Sequence, residues 1–179
     1  MNAIAALCSL VALSVVSPIQ VEDFGAIKSA KISIVKSSVP KYYQHGNLIV
    51  DFAKKKYVNL NSTETAMDVK IFPGRHTIGW IEGKMDKYRE DDWFFPKTLV
   101  IWRNGKVVRK FDPGRFFVGW GLVESGKKIA VATAGMHGPT YMFLYDLESG
   151  KELDHAANFD RKRKSWVKSI PEHGYAWYN

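Results

Sequence analysis

Leu99-Val-Ile-Trp-Arg-Asn-Gly-Lys-Val-Val-Arg-Lys-Phe111 is the stretch on which the fold turns. Two apolar runs, 99–102 and 107–111, flank Asn104-Gly105. Asn-Gly adopts the left-handed backbone of a tight two-residue turn readily, so this stretch predicts an antiparallel hairpin. The same pattern recurs on either side. Lys31-Ile-Ser-Ile-Val-Lys36 alternates polar and apolar residues, as a half-buried strand does. Residues 48–53 and 57–60 flank Lys54-Lys55-Lys56, and residues 67–72 and 76–82 flank Pro73-Gly74. Residues 116–123 and 128–133 flank Ser125-Gly126, and residues 141–145 and 152–155 flank a turn with Ser149-Gly150. Short strands at regular intervals, with no long amphipathic helix between them, predict an all-β protein.

Composition agrees with a packed core. Of 179 residues, 46% are apolar and 13% aromatic, which disfavours disorder and favours one domain. The net charge of +8 suits an anionic neighbour, but the basic residues are spread along the chain. The single cysteine, Cys8, has no partner for an intrachain disulfide, and seven preceding residues are too few for a lipoprotein leader.

The N-terminus reads as a leader. Residues 3–16 are nearly all Ala, Ile, Leu, Val, Ser and Cys, and no charged side chain precedes Glu22. That length suits a signal-peptide apolar region and falls short of the roughly 20 residues of a spanning helix. Residues 1–17 are therefore expected to be a signal peptide, 18–29 a tether and 30–179 a single exported β domain, periplasmic or secreted. Within that domain, 84–97 is the longest polar interruption and is expected to be a loop. Residues 160–179 form a basic C-terminal segment, with a short helix expected near Trp166, Val167 and Ile170 and a last strand over 174–178.

The body repeats. A unit over 69–111 and another over 118–155 each run strand, Gly-basic turn, strand, loop and a hairpin turning on Gly-Lys, and 47–60 reads as a partial unit. Hairpin turns at 55, 105 and 150 are spaced by about 45 to 50 residues, the scale of a four-stranded blade. The segments FPGRHTIGW (72–80), SGKKIAVATA (125–134) and LYDLESGKEL (144–153) resemble the blade signatures of bacterial TolB-like, WD40-like propeller repeats. The first turn has Phe-Pro-Gly where that pattern has Pro-Asp-Gly, and no WD40 His…Trp-Asp pair occurs. The resemblance implies two or three antiparallel sheets in an open or incomplete propeller, since the chain is too short for four blades. A β-sandwich or barrel with repetitive hairpins is the alternative.

Several residues invite a chemical reading. His137, in the Gly-rich 134–139 stretch, is the best single polar contact, with an ordinary turn histidine as the plain alternative. Trp93-Phe94-Phe95 suits a partner surface or a cover for a sheet edge. Arg161-Lys162-Arg163-Lys164 beside Trp166 has the composition to grip an anionic surface or else forms a solvated face. Gly79-Trp80 and Gly119-Trp120 read as core anchors before they read as platforms for a sugar or base. Asn61-Ser62-Thr63 is a glycosylation sequon, relevant only in a eukaryotic host.

No metal-ligand spacing, nucleophile elbow or phosphate loop occurs, so no catalytic residue, metal or cofactor is expected. The function expected is a non-catalytic binding or scaffold protein for a protein or an anionic envelope component. Self-association stays open, and nucleic acid is disfavoured as a partner. Two alternatives remain: a hydrolase or lyase using His137 with Asp146 or Asp154, and an inhibitor docking through 84–97.

Overall fold

A computed structural model describes residues 23–34, 45–58, 60, 65–88, 91–135, 138–157 and 164–171. The expected leader, the sequon and the expected 174–178 strand lie outside the described residues. The class is all-β, with two antiparallel sheets, neither of them closed.

The first sheet has seven strands: β1 (Ile27–Ile34), β2 (Gly46–Phe52), β3 (Lys56–Val58), β4 (Ala66–Ile71), β5 (Thr77–Tyr88), β6 (Asp91–Arg103) and β7 (Lys106–Phe111). The second is a meander of β8 (Phe116–Val123), β9 (Lys128–Ala134), β10 (Thr140–Asp146) and β11 (Glu152–Ala157). The turn expected at Asn104-Gly105 joins β6 to β7, with φ of 47° and 90° at its two residues. Both values lie in the left-handed region that such a turn needs.

β2 bonds to β4 through the Gly46–Ala66 pair alone, so the seven-stranded sheet has two halves that fold over one another. Ile27, Leu48, Val50 and Phe52 of the β1–β2 half meet Ile78, Trp80, Val100 and Trp102 of the β4–β7 half. The opposite face of β4–β7 packs Met67, Leu99, Ile101 and Phe111 against Phe117, Trp120, Ile129 and Val131 of the second sheet. Leu99-Val100-Ile101-Trp102 thus serves two cores by alternation. A strand buried on both faces reads as a continuous apolar run, which is how these four residues read.

The outer face of the second sheet has its own cover. A 3-10 helix at Ser165–Ser169 seats Val167 and Ile170 on Ala130, Ala132, Met142, Leu144 and Ala156. The approach is close: a side chain on Gly121 would meet the Ser169 carbonyl oxygen at 1.9 Å. This covering segment begins where a short helix was expected.

Two expectations need correction. Residues 84–88 and 91–97 are strand rather than loop, because β5 and β6 pair through them as a ribbon with Lys84 opposite Phe95 and Asp86 opposite Trp93. An antiparallel ladder is made by backbone groups, so strands pair whatever the polarity of the side chains they carry. The register shifts beside Gly83 and Pro96, a place that tolerates proline's missing N–H. The expected tether over 18–29 is likewise too long, since Phe24 and Ile27 are core residues and β1 begins at Ile27.

Candidate functional site

Among the described residues, β10 aligns a row of three half-buried aromatic side chains. Along Thr140–Asp146, Met142 and Leu144 are buried beneath the C-terminal 3-10 helix. Alternation sends Tyr141, Phe143 and Tyr145 to the opposite face, and all three are only half-buried. The Phe143 and Tyr145 rings lie 6.1 Å apart at 28°. Phe111 of β7 closes one end of the row, 5.0 Å from Tyr145. Beyond Phe111 the chain leaves β7, and Arg115 places its guanidinium 4.5 Å above the Tyr141 ring.

Polar groups border this row. Pairing sets His155 opposite Phe143 and Glu152 opposite Tyr145, on the same face of the ribbon. His155 Nδ1 and Glu152 Oε1 are 3.2 Å apart, and both side chains are exposed. Burial, with Glu152 nearby, raises the Tyr145 phenol above its ordinary pKa, so it stays protonated and able to donate. Half-buried aromatic rings, one of them under a guanidinium, with an imidazole and a carboxylate alongside suit recognition of an amphipathic ligand.

The other face of β11 is a latch. Lys164 Nζ donates to Asp154 Oδ1 at 2.5 Å and to the His155 carbonyl at 2.6 Å. Trp166 Nε1 donates to Asp154 Oδ2 at 3.0 Å. The bonds from Lys164 and then Trp166 hold the Asp154 carboxyl below its usual range. Lys164 and Trp166 therefore face a carboxylate of their own chain, while Arg161, Lys162 and Arg163 lie outside the described residues.

A second polar cluster sits in β4. The register shifts between Met67 and Lys70, and Asp68 takes φ of 48° there. Lys70 Nζ reaches both Asp68 carboxylate oxygens at 2.8 Å and lies 4.4 Å from the Trp120 ring. Burial, partly offset by Asp68, lowers the Lys70 pKa. Trp120 Nε1 in turn donates to the Asp68 carbonyl at 3.0 Å, so the bulge closes on itself. The bulge and the positive φ at Asp68 bring this cluster together, and no sequence signal announces either.

The remaining expected residues scatter. Phe94 is 1% exposed and stacks on His45 at 4.6 Å and 3°, so it is core. Phe95 is half-buried on Phe116 at 5.2 Å. The Trp93 side chain and His137 lie outside the described residues. Trp80 and Trp120 are core anchors, and Trp80 donates to Glu82 at 3.1 Å. Asp146 accepts from the Ser149 hydroxyl and amide and is held below its usual pKa by them. Among the described residues no group of three His, Cys, Asp or Glu is placed to hold a metal, and no helix is long and apolar enough to cross a membrane. The chain matches no family model and no curated protein sequence.

Proposed function

We propose that this chain is an exported, non-catalytic binding protein built as an incomplete propeller of stacked blades. Export rests on the apolar run of residues 3–16. The blade reading draws support from connectivity. β4–β7 and β8–β11 are successive four-stranded meanders, packed face to face and joined by a short turn at 112–115. β1–β3 supplies a partial layer on the other side. Terminal repeats of stacked proteins need a finished outer face. Here the 164–171 segment covers one end, and Lys28, Ser29, Lys31 and Ser33 make the other end polar.

The observation that carries the binding reading is the half-buried row Tyr141, Phe143 and Tyr145, bordered by Arg115, His155 and Glu152. Retention of the purified chain on membranes, on cell-wall polymer and on nucleic acid, at low and moderate salt, tests it. Retention on cell-wall polymer that survives moderate salt is expected, because stacking is not screened as charge pairing is. No retention on any of the three overturns the proposal.

A further inference from the structure

We infer that the outer edge of β7 is a docking site for an extended acidic segment of a partner protein, added to the sheet as a further strand. The inference goes beyond the aromatic row and does not rest on it. A terminal strand turns the N–H and C=O groups of alternate residues away from its one neighbour, and these can pair with another chain. The protein closes such edges elsewhere. On β1, the Ile27 amide donates to the Arg75 carbonyl and Arg75 Nε donates back to the Ile27 carbonyl, both at 2.6 Å. On β11, Lys164 Nζ donates to the His155 carbonyl at 2.6 Å. β8 is buried through its middle, from Gly119 to Gly121. β7 ends the first sheet with β6 on one side, and among the described residues no backbone group bonds to its other side.

The side chains of β7 select the occupant. Pairing of Lys106 with Arg103 and of Arg109 with Ile101 puts Lys106 and Arg109 on one face of the edge. Pairing of Val107 with Trp102 and of Lys110 with Val100 puts Val107 and Lys110 on the other. Lys106 is exposed and forms no ion pair with a carboxylate of the described residues. Arg109 donates to the Glu148 backbone carbonyl, which leaves its charge uncompensated, and its Nε is buried without a hydrogen-bond partner. The nearby carboxylates are engaged, Glu148 by Arg103 at 3.1 Å and Asp112 by the Gly114 amide at 3.0 Å. On the other face Val107 is 47% exposed, and Lys110 stands 4.0 Å from Glu82. An incoming strand therefore meets two uncompensated cations on one face and an open apolar side chain on the other. A segment that alternates acidic and apolar residues is the complement of that pattern. A second copy of β7 brings its own Lys106 and Arg109 to the edge, and like charges across a ladder are unfavourable.

Binding of fluorescein-labelled peptides to the full chain, read by fluorescence anisotropy, tests the inference. The probes are a short peptide alternating Glu with Val, the same peptide with Lys in place of Glu, and the Glu–Val peptide N-methylated throughout. The Glu–Val peptide is expected to bind. The other two should bind about tenfold more weakly, because one loses the charge match and the other its ladder donors. Lys106→Glu, at an exposed position, should weaken the Glu–Val peptide by about fivefold and favour the Lys–Val peptide. Thermal melting shows that this variant is folded, and the N-methylated peptide tests strand addition without any variant. Hydrogen exchange should slow at residues 106–111 when the Glu–Val peptide is bound. Four results overturn the inference: no binding of the Glu–Val peptide, equal binding of either control peptide, binding indifferent to folded Lys106→Glu, or protection gained on another strand instead of β7. Retention on cell-wall polymer alongside any of these would sink the edge proposal while leaving the broader binding reading in place.

Discussion

At the scale of single residues, Asp154 shows how a functional-looking composition becomes a structural contact. Lys164 and Trp166 belong to a segment whose charges and indole suggest an anion grip, yet both point at this one carboxylate. The Asp154 pKa is depressed in the fold, so its contribution is fully present above the unfolded value of about 3.9 and is lost as pH falls through the lower folded value. Asp154→Asn keeps an acceptor and removes the charge. Its side chain and that of Lys164 are 39% and 32% exposed, so screening limits the cost to about 1 kcal/mol at pH 7. Denaturant unfolding of both proteins at stepped pH should show that gap shrinking below about pH 4. A gap that persists unchanged to pH 2 would mean the charge is not what Asp154 contributes.

At the scale of elements, the covering segment 164–171 has the clearest consequence. Val167 and Ile170 are 1% and 5% exposed, and each adds roughly 2 kcal/mol by burial. Ending the chain after residue 163 uncovers Ala130, Ala132, Met142, Leu144 and Ala156 together. Contiguous apolar surface of that kind associates, so the shortened chain should bind an apolar dye and sediment faster with rising concentration. A shortened chain that stays monomeric and dye-silent would contradict the cover's role. Much at this scale was legible beforehand. Period-two alternation gave the strands, and Asn104-Gly105, Ser125-Gly126 and Ser149-Gly150 gave the hairpins, because turn chemistry is local. The 84–97 ribbon was not legible, since paired backbone leaves no mark on polar side chains. The aromatic row was half legible. Residues 141–145 read as a strand, but only packing shows that Phe111 and the 3-10 helix cover one end and one face and leave Tyr141 and Phe143 partly open.

At the scale of the molecule, the decisive feature is that β4–β7 lies between two cores. Ile78, Trp80, Val100 and Trp102 face the β1–β2 layer, while Ile81, Leu99 and Ile101 face the second sheet. Stacked repeats with weak interfaces can lose their layers one at a time. Here the same strands supply both interfaces, so unfolding either core frees residues adjacent to the other on the chain. Trp80 is 1% exposed in one core and Trp120 0% in the other, and replacing either by Ala should cost about 3 to 5 kcal/mol. If the layers are coupled as this alternation demands, calorimetry of the intact chain gives a single transition. Both variants should then lower that one transition, as one cooperative unit requires. Two transitions, with Trp80→Ala moving one and Trp120→Ala the other, would show that the layers fold separately and that the shared strands do not bind them into one body.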